Sequence, residues 1–230
     1  MFRFKRFSID DSRCAMKVGT DGVLLGAWAD PGDASLIVDA GAGSGLLALM
    51  MAQRTSPDVR VIAIEISPEA AADAHDNVMA SPWRDRIEVV RADCLTFPLP
   101  ADRKVMLISN PPFFSEPLRS PEAGRALARH GEEFDVMSFI DFAATHPDPV
   151  LAFIAPTQRD DEVEFRLALR RLTPNRICHV VTREGREPLR TLWQASRRGP
   201  VRRESLTVRD SDNRYTPEYL SLTSEFYLDR

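Results

Sequence analysis

An asparagine, two prolines and a phenylalanine follow a short apolar run, and their chemistry suits the transfer of a group to an amine. Residues 105–108 predict a buried strand, and the turn after it carries Asn110, Pro111, Pro112 and Phe113. Each proline fixes its own φ and favours extended geometry in the residue before it, so we expect a rigid turn. The side-chain oxygen of Asn110 and the carbonyl of Pro111 can then accept hydrogen bonds from one planar amino group beside an aromatic ring. The turn therefore predicts a site where such an amino group is methylated.

An amino group attached to an aromatic ring is a poor nucleophile, because its lone pair is delocalised into that ring. Two hydrogen-bond acceptors favour a pyramidal nitrogen and return electron density to it, so catalysis rests on position and on preorganised electrostatics. The alternative interpretation is an ordinary proline-rich turn between a strand and a loop. The four residues alone do not exclude this alternative, but the sequence upstream of them argues against it.

A glycine-rich turn lies upstream, between an apolar run at residues 36–39 and a helix-forming run at residues 46–52. This order of strand, turn and helix gives a glycine motif weight, and glycine lets a ligand approach the backbone closely. The spacing Gly-x-Gly-x-Gly departs from the dinucleotide fingerprint, because Leu46 stands where its last glycine would fall. A pyrophosphate cradle is therefore disfavoured, and S-adenosylmethionine is the predicted cofactor. The residues that we expect to contact it here are Asp39, Gly41, Gly43 and Gly45.

Acidic residues also end the next two predicted strands. Glu65 lies twenty residues beyond Gly45, the spacing at which an acid at the end of the second strand meets ribose hydroxyls. Asp93 ends the predicted strand at residues 87–93 and can accept a hydrogen bond from an adenine amino group. The predicted cofactor contacts of this part of the chain are Glu65, Ile66, Asp93, Cys94 and Asn110.

Predicted strands and helices alternate along the rest of the chain. Further strands are expected at residues 150–155 and 177–181, and a terminal hairpin is expected from residues 189–195 and 205–208. This pattern predicts an α/β fold, with a mostly parallel sheet, helices on both faces and an antiparallel edge hairpin. Between these elements, residues 115–133 predict a polar connection with a short helix at 122–129, which we interpret as a flap beside the catalytic turn.

Composition places the chain among globular proteins of one domain. Its 230 residues are 43% apolar and 28% charged, and no apolar run approaches the ~20 residues of a membrane helix. Its three cysteines, Cys14, Cys94 and Cys178, are scattered, so neither a disulfide framework nor a metal site is predicted. We expect a cytoplasmic protein with reduced thiols, no metal, no membrane association and no obligatory protein partner.

Charge is unevenly distributed between two parts of the chain. Residues 18–158 carry 10 basic against 20 acidic side chains, whereas residues 159–214 carry 14 basic against 9 acidic ones. A basic segment beside an acidic core is typical of a phosphate-binding rim, and it is equally compatible with a solvated arginine-rich surface. The candidate RNA-binding residues are Arg183, Arg186, Arg197, Arg198, Arg202 and Arg203.

With its glycine turn, strand-end acids and Asn-Pro-Pro-Phe turn, the chain resembles the Rossmann-like class I methyltransferases of the Asn-Pro-Pro-Tyr/Phe group. Residues 2–7 and 14–28, and the terminal residues 215–228, resemble more specifically the bacterial tRNA1(Val) adenine-37 N6-methyltransferases. That resemblance covers nearly the whole chain and implies an adenine beside a tRNA anticodon as the target. The family usually has tyrosine where this chain has Phe113.

The resemblance implies one methyltransferase domain over residues 1–230. Residues 1–30 would lie over the cofactor site, and residues 159–214 would contribute the RNA rim. The family also implies that Lys17, Thr20 and Asp21 fold over the methionine end of the cofactor.

Four other functions stay open at this point. Methylation of rRNA guanine or of protein glutamine uses the same kind of turn, although the basic segment and the terminal blocks disfavour a protein substrate. A nucleotide-dependent oxidoreductase is disfavoured by the glycine spacing. A noncatalytic RNA-binding module would need neither the strand-end acids nor the acceptor turn.

Overall fold

A mostly parallel sheet forms the centre of the protein in the computed structural model, which describes residues 1–113 and 134–228. The predicted flap at residues 115–133, with its helix at 122–129, lies outside the described residues. Within these residues, eight strands are ordered β10-β8-β9-β7-β6-β3-β4-β5. They are β3 (Leu36–Ala40), β4 (Arg60–Glu65), β5 (Ile87–Arg91), β6 (Val105–Ser109), β7 (Val150–Pro156), β8 (Thr173–Val181), β9 (Arg190–Ser196) and β10 (Arg202–Thr207). A separate two-stranded sheet pairs β1 (Phe2–Arg3) with β2 (Ser8–Ile9).

Helices cover both faces of the large sheet, which confirms the predicted α/β class. They are α1 (Thr20–Trp28), α2 (Leu46–Arg54), α3 (Pro68–Met79), α4 (Val136–Ala143), α5 (Asp160–Leu169) and α6 (Pro217–Thr223). Side chains alternate along each strand, so Ile37 packs in the core under α1 and α2, while Val38 packs under α4 and α5. None of the helices within the described residues has the length and apolarity that a membrane span requires.

The C-terminal strands pair differently from the predicted hairpin of residues 189–195 with 205–208. β9 is antiparallel to both β7 and β8, so its two edges are already occupied. The chain leaves β9 at the amino-terminal edge of the sheet, and the short connection at residues 197–201 lets β10 begin at that same edge. β10 therefore adds to the free side of β8, parallel to it. The hairpin is formed by β8 and β9, and β10 is the outermost strand.

The two terminal blocks of the chain meet on one side of the protein. The rings of Phe4 and Tyr227 are stacked with their centroids 5.9 Å apart. The backbone N–H of Lys5 donates to the carbonyl of Phe226 at 2.8 Å. Phe4 and Phe226 are both buried, so the sequence ends that are most distant along the chain share one apolar core.

Helix α1 was not expected from the sequence, which predicted only a segment lying over the cofactor site. Seven of its nine residues are buried, and it packs against α2. The contact is close because Gly26 has no side chain: a Cβ there would lie 2.5 Å from the Met50 Sδ and 3.2 Å from the Met50 Cβ. This packing determines where the first turn of α1, with Thr20 and Asp21, stands relative to the sheet.

Replacing Gly26 with valine should therefore separate α1 from α2. We expect Gly26→Val to lower the free energy of unfolding by about 1–3 kcal/mol through overpacking, as measured by urea denaturation. The double variant Gly26→Val/Met50→Ala is the matched control, because it removes the Met50 Sδ and Cε, the two atoms that a Cβ on residue 26 would approach most closely. A double variant that recovers none of the loss would contradict this account of the contact.

Candidate active site

Three adjacent parallel strands bring the predicted site residues to one edge of the sheet. β3 is paired with β4 on one side and with β6 on the other. The glycine turn follows β3, Glu65 is the last residue of β4, and Asn110 directly follows β6. Ligands of open α/β sheets bind beyond the carboxyl ends of the strands. The structure thus brings together the predicted cofactor residues and the predicted acceptor turn.

The glycine turn adopts a backbone that favours glycine at its three key positions. Gly41, Gly43 and Gly45 have φ angles of +69°, +54° and +81°, which side chains other than glycine rarely tolerate. The N–H of Gly41 donates to the carbonyl of Ile64 at 2.9 Å, which ties the turn to the end of β4. Apart from its two chain neighbours, no described residue has an atom within 4 Å of a Cβ built on Gly43. The turn is therefore rigid and open at its centre.

Glu65 binds the turn and still has capacity for a ligand. Its Oε2 accepts from the Gly43 N–H at 2.8 Å, and its Oε1 accepts from the Ser67 N–H at 2.8 Å. A carboxylate offers about four acceptor positions, so two remain for hydroxyl donors. The next residue, Ile66, is 47% exposed and presents an apolar surface beside this carboxylate.

Asp93 follows β5, the strand next to β4. Its Oδ1 accepts from the Leu95 N–H at 2.9 Å and caps a short 3₁₀ turn, so its other oxygen can take a second donor. Cys94 is buried, and this burial raises the pKa of its thiol to about 12. The backbone is thus the part of Cys94 best suited to contact a ligand.

Asp39 makes a different contact from the one that the sequence predicted. Its side chain is almost fully buried, and its Oδ2 accepts from the Ala48 N–H in the first turn of α2 at 2.9 Å. The pKa of this carboxyl is raised to about 7, mainly by burial. The Glu65 charge also raises the pKa, and the hydrogen bond from the Ala48 N–H lowers it. Asp39 therefore holds the first turn of α2 through one oxygen, while its other oxygen is buried without a hydrogen-bond partner among the described residues.

Asn110 carries a buried oxygen that accepts no hydrogen bond from the described residues. Its Nδ2 lies 4.0 Å from the Met16 Sδ, and 3.8 Å from where a Cβ on Gly22 would stand. An unpaired buried acceptor typically costs about 1–3 kcal/mol. Because Pro111, which follows, is also buried, the turn combines a φ fixed by proline with a buried acceptor that has no partner within residues 1–113 and 134–228.

Phe113 is held by an arginine that the sequence analysis did not assign to the catalytic turn. The guanidinium carbon of Arg190 lies 5.0 Å from the centroid of the Phe113 ring. Its Nε donates to the Asp21 Oδ2 at 2.9 Å. Arg190 is the first residue of β9, and its position became evident only from the antiparallel pairing of that strand with β7. Asp21, Arg190 and Phe113 therefore connect α1, the sheet and the acceptor turn.

A second missed contact comes from Phe134. A Cβ on Gly41 would lie 2.7 Å from an edge atom of the Phe134 ring, so the ring packs directly on the glycine turn. Phe134 precedes α4, which begins with a reciprocal capping box between Asp135 and Ser138. That Asp-x-x-Ser pattern signals the start of the helix, but nothing in the sequence indicates that the preceding ring reaches Gly41.

Two polar residues on α3 fasten the N-terminal segment beside the glycine turn. The buried Asp73 accepts from the backbone N–H groups of Arg13, at 2.8 Å, and Cys14, at 3.1 Å. One turn further along, the Asn77 side chain bonds to both backbone groups of Asp10 and donates to the Ser44 carbonyl at 2.9 Å. Their spacing of four residues on a helix is a signal that could have suggested this shared face.

The three predicted cofactor contacts of the N-terminal segment differ in their exposure and in their hydrogen-bond partners. Lys17 and Thr20 are exposed, and the Lys17 ammonium group donates to the carbonyls of Asp11 and Ser12. Asp21 is partly buried in its ion pair with Arg190. In this conformation the Lys17 ammonium group binds carbonyls of its own loop. Asp21 is connected to the acceptor turn through Arg190, which packs on Phe113.

The six candidate RNA-binding arginines do not lie together. Arg183 and Arg186 follow β8 at the carboxyl edge of the sheet, where Asn110 lies. The other four lie at the opposite edge, because β9 runs antiparallel and β10 starts there: Arg197, Arg198, Arg202 and Arg203. The Arg197 guanidinium is also used internally, since it donates to the carbonyls of four residues: Ala144, His146, Pro147 and Arg170.

The sequence of this chain is similar to known methyltransferases. Residues 37–131 match a family described as a methyltransferase domain. The chain is 41% identical to a tRNA1(Val) (adenine(37)-N6)-methyltransferase of Tolumonas auensis, over 99% of this chain and 96% of that protein. It is 42% identical to a protein of the same name from Phocaeicola vulgatus, over 99% of this chain and 97% of that protein.

Solved structures share the fold. A protein of Agrobacterium tumefaciens, described as a predicted O-methyltransferase, superposes with a TM-score of 0.64 at 22% identity, over 92% of this chain and 99% of that one. A putative class I S-adenosylmethionine-dependent methyltransferase of Listeria monocytogenes gives 0.55 at 16% identity, over 88% of this chain and 65% of that one.

The buried Asp39 predicts a specific dependence of stability on pH. Its pKa is raised in the folded state from 3.8 to about 7. The stabilisation of the folded state by the neutral Asp39 carboxyl is therefore fully present below pH 3.8, and it is lost as the pH rises through about 7. Asp39→Asn cannot ionise, so the stability of the variant relative to the wild type should increase between pH 4 and pH 8, as measured by urea denaturation.

Asp33→Asn is the control, because the Lys104 ammonium lowers the pKa of the exposed Asp33 carboxyl. Its stability relative to the wild type should change in the opposite direction, or hardly at all, since that ion pair is solvated. A constant difference between Asp39→Asn and the wild type across the pH range would contradict the raised pKa.

Proposed function

Because the chain belongs to the tRNA1(Val) (adenine(37)-N6)-methyltransferase family, we propose that it methylates the N6 atom of adenine 37 in tRNA1(Val) with S-adenosylmethionine. The similarity to these relatives extends over 99% of the chain at about 40% identity, so it includes the terminal blocks as well as the catalytic core. The single observation that carries the chemistry is the buried Oδ1 of Asn110 in the turn after β6, which accepts no hydrogen bond from the described residues.

The residues of the glycine turn fit S-adenosylmethionine. The open space at Gly43 lets a ligand approach the backbone closely. The remaining acceptor positions of Glu65 suit ribose hydroxyls, and the exposed face of Ile66 suits an adenine ring. The free oxygen of Asp93 is suited to the adenine amino group. When bound, the cofactor supplies an electrophilic methyl carbon on a sulfonium sulfur.

Asn110 and Pro111 would position the acceptor amine. The Asn110 Oδ1 and the Pro111 carbonyl accept one hydrogen bond each, which satisfies the buried oxygen and directs the nitrogen lone pair. Much of the catalytic advantage of such a site comes from orientation and from fixed dipoles. A dedicated base is not required, because the nitrogen can release its proton after methyl transfer.

Phe113 would stack on the flipped adenine. Stacking uses the face of the ring, so it does not require the hydroxyl of the tyrosine that is usual in the family. Arg190 fixes the ring orientation from one side and is itself held by Asp21. The N-terminal segment, anchored by Asp73 and Asn77, would cover the methionine end of the cofactor. A cytoplasmic location would suit this tRNA substrate.

Nucleoside mass spectrometry of treated RNA tests the function. Purified protein and S-adenosylmethionine are incubated with bulk tRNA, rRNA and protein in separate reactions. We expect N6-methyladenosine in one anticodon-loop fragment of tRNA1(Val). Methylguanosine in rRNA, or methylglutamine in protein, with unmodified tRNA would overturn the proposal in favour of the corresponding alternative substrate.

Asn110→Ala should separate chemistry from cofactor binding. We expect methyl transfer to be abolished, whereas the Kd for S-adenosylmethionine in calorimetry stays within about tenfold of the wild type, because the lost interaction acts on the acceptor amine. Asn175→Ala is the matched control, since Asn175 lies in the β8 strand near the opposite edge. Equal losses of binding and turnover in Asn110→Ala would contradict this division of roles.

A further inference from the structure

We propose that the tRNA phosphates next to the target adenine bind arginines at the carboxyl edge of the sheet, in the loops that follow β8 and β10. This inference rests on the proposed function and identifies the surface that holds its substrate. The arginines concerned are Arg183, Arg186, Arg209 and Arg214. The arginines at residues 197–203, which crowd the sequence most densely, are excluded from this surface.

Strand direction is the first argument. β8 is antiparallel to β9, which is antiparallel to β7, and β7 is parallel to β6. β10 is parallel to β8. The loops at residues 182–189 and 208–216 therefore leave the sheet at the edge where the acceptor turn lies. β8 is three strands away from β6 in the sheet, which is roughly 14 Å.

Hydrogen bonds join the two loops into one surface, which we call the arginine platform (residues 182–189 and 208–216). The Glu184 N–H donates to the Arg209 carbonyl at 2.8 Å. The Glu184 carboxylate accepts from the Ser211 N–H at 3.0 Å, and the Arg183 guanidinium donates to the Ser211 carbonyl. A platform fixed in this way can present its side chains to an RNA backbone without first being ordered.

Arg190 makes the platform continuous with the acceptor turn. It follows residues 182–189 directly, and its guanidinium lies 5.0 Å from the Phe113 ring centroid. An adenine stacked on Phe113 would thus have its own phosphate, and those of its neighbours, facing the platform. Donors to phosphate are expected at this position, because a flipped nucleotide must be held by its backbone while its base is modified. The platform carries four arginines and four acidic side chains, so the contacts would come from individual guanidinium groups and not from a net positive charge.

The platform guanidinium groups keep donors for phosphate. Arg186 is exposed and makes no side-chain hydrogen bond or ion pair within the described residues. The Arg214 side chain is 77% exposed and lies 3.5 Å from the Asp212 carboxylate. Arg209 stacks on Tyr215 with its guanidinium carbon 4.0 Å from the ring centroid, and it donates one N–H to the Asn213 carbonyl at 2.7 Å. Its planar fork is therefore preorganised, and its other N–H groups remain for phosphate. Arginine in such a setting binds phosphate with paired donors.

The opposite edge supplies matched controls. Arg198 and Arg202 line a shallow cavity of about 300 Å³ there, and both are exposed. No side-chain hydrogen bond or ion pair engages either one within the described part of the chain. The double variant Arg198→Gln/Arg202→Gln removes the same charge as Arg183→Gln/Arg186→Gln and leaves the acceptor turn untouched. The two pairs differ in position and in the hydrogen bond that Arg183 donates to the Ser211 carbonyl.

The experiment compares the two double variants with the wild type. For Arg183→Gln/Arg186→Gln we expect the KM for tRNA to rise about tenfold, with the Kd for S-adenosylmethionine unchanged. The slope of log affinity against log salt should fall by about 1 to 2, the value for two lost phosphate contacts. For Arg198→Gln/Arg202→Gln we expect the tRNA KM and the salt slope to match the wild type.

This inference would be overturned if the two double variants changed the tRNA KM equally, or if Arg183→Gln/Arg186→Gln did not change it. Methylation of tRNA by the wild-type protein would still support the proposed function in that case. A wild-type protein that neither binds nor methylates tRNA would overturn both proposals. Circular dichroism and the S-adenosylmethionine Kd of both variants exclude misfolding as the cause of a loss.

Discussion

The parallel pairing of β3 with both β4 and β6 is the constraint on which the site depends. The glycine turn, Glu65 and Asn110 come from three segments that are distant in sequence, yet they emerge from neighbouring strands. Neighbouring strands lie about 4.8 Å apart, so a cofactor on the first two and an acceptor on the third are brought within reach of each other. The helices on both faces maintain this register by burying β3 and β6 completely and most of the apolar residues of β4.

Buried polar groups show which parts of the site the fold holds and which it keeps for ligands. Asp73 and Asn77 are satisfied by backbone groups of the N-terminal segment and the glycine turn. Asp39 holds the first turn of α2, and its raised pKa allows it to be neutral beneath the turn. The Asp39 Oδ1 has no hydrogen-bond partner among the described residues, but protonation of that carboxyl can offset part of the cost of its burial. The Asn110 Oδ1 also lacks a partner among those residues, and its uncharged amide has no such compensation. It is the acceptor best suited to an incoming amine.

Arginines that are close in sequence are far apart in this protein. β9 is seven residues long and spans roughly 20 Å, so Arg190 at its start and Arg197 after its end lie at opposite edges of the sheet. Composition records the charge of a segment but not the direction in which its strand runs. The basic segment therefore divides into a part beside the acceptor turn and a part behind the sheet, where Arg197 binds carbonyls of the protein itself.

The sequence alone determined the α/β class, most strands and the residues at their ends, because apolar periodicity and the turn chemistry of glycine and proline are local properties. The start of α3 depends on local signals too, since the Ser67 side chain accepts from the Ala70 N–H and Pro68 is the first residue of the helix. Only the tertiary structure decided that β10 joins β8, that Arg190 meets Phe113, and that Asp39 turns inward. Those outcomes depend on which strand edges were free, on strand direction and on burial, and each arises from contacts between segments that no short stretch of sequence contains.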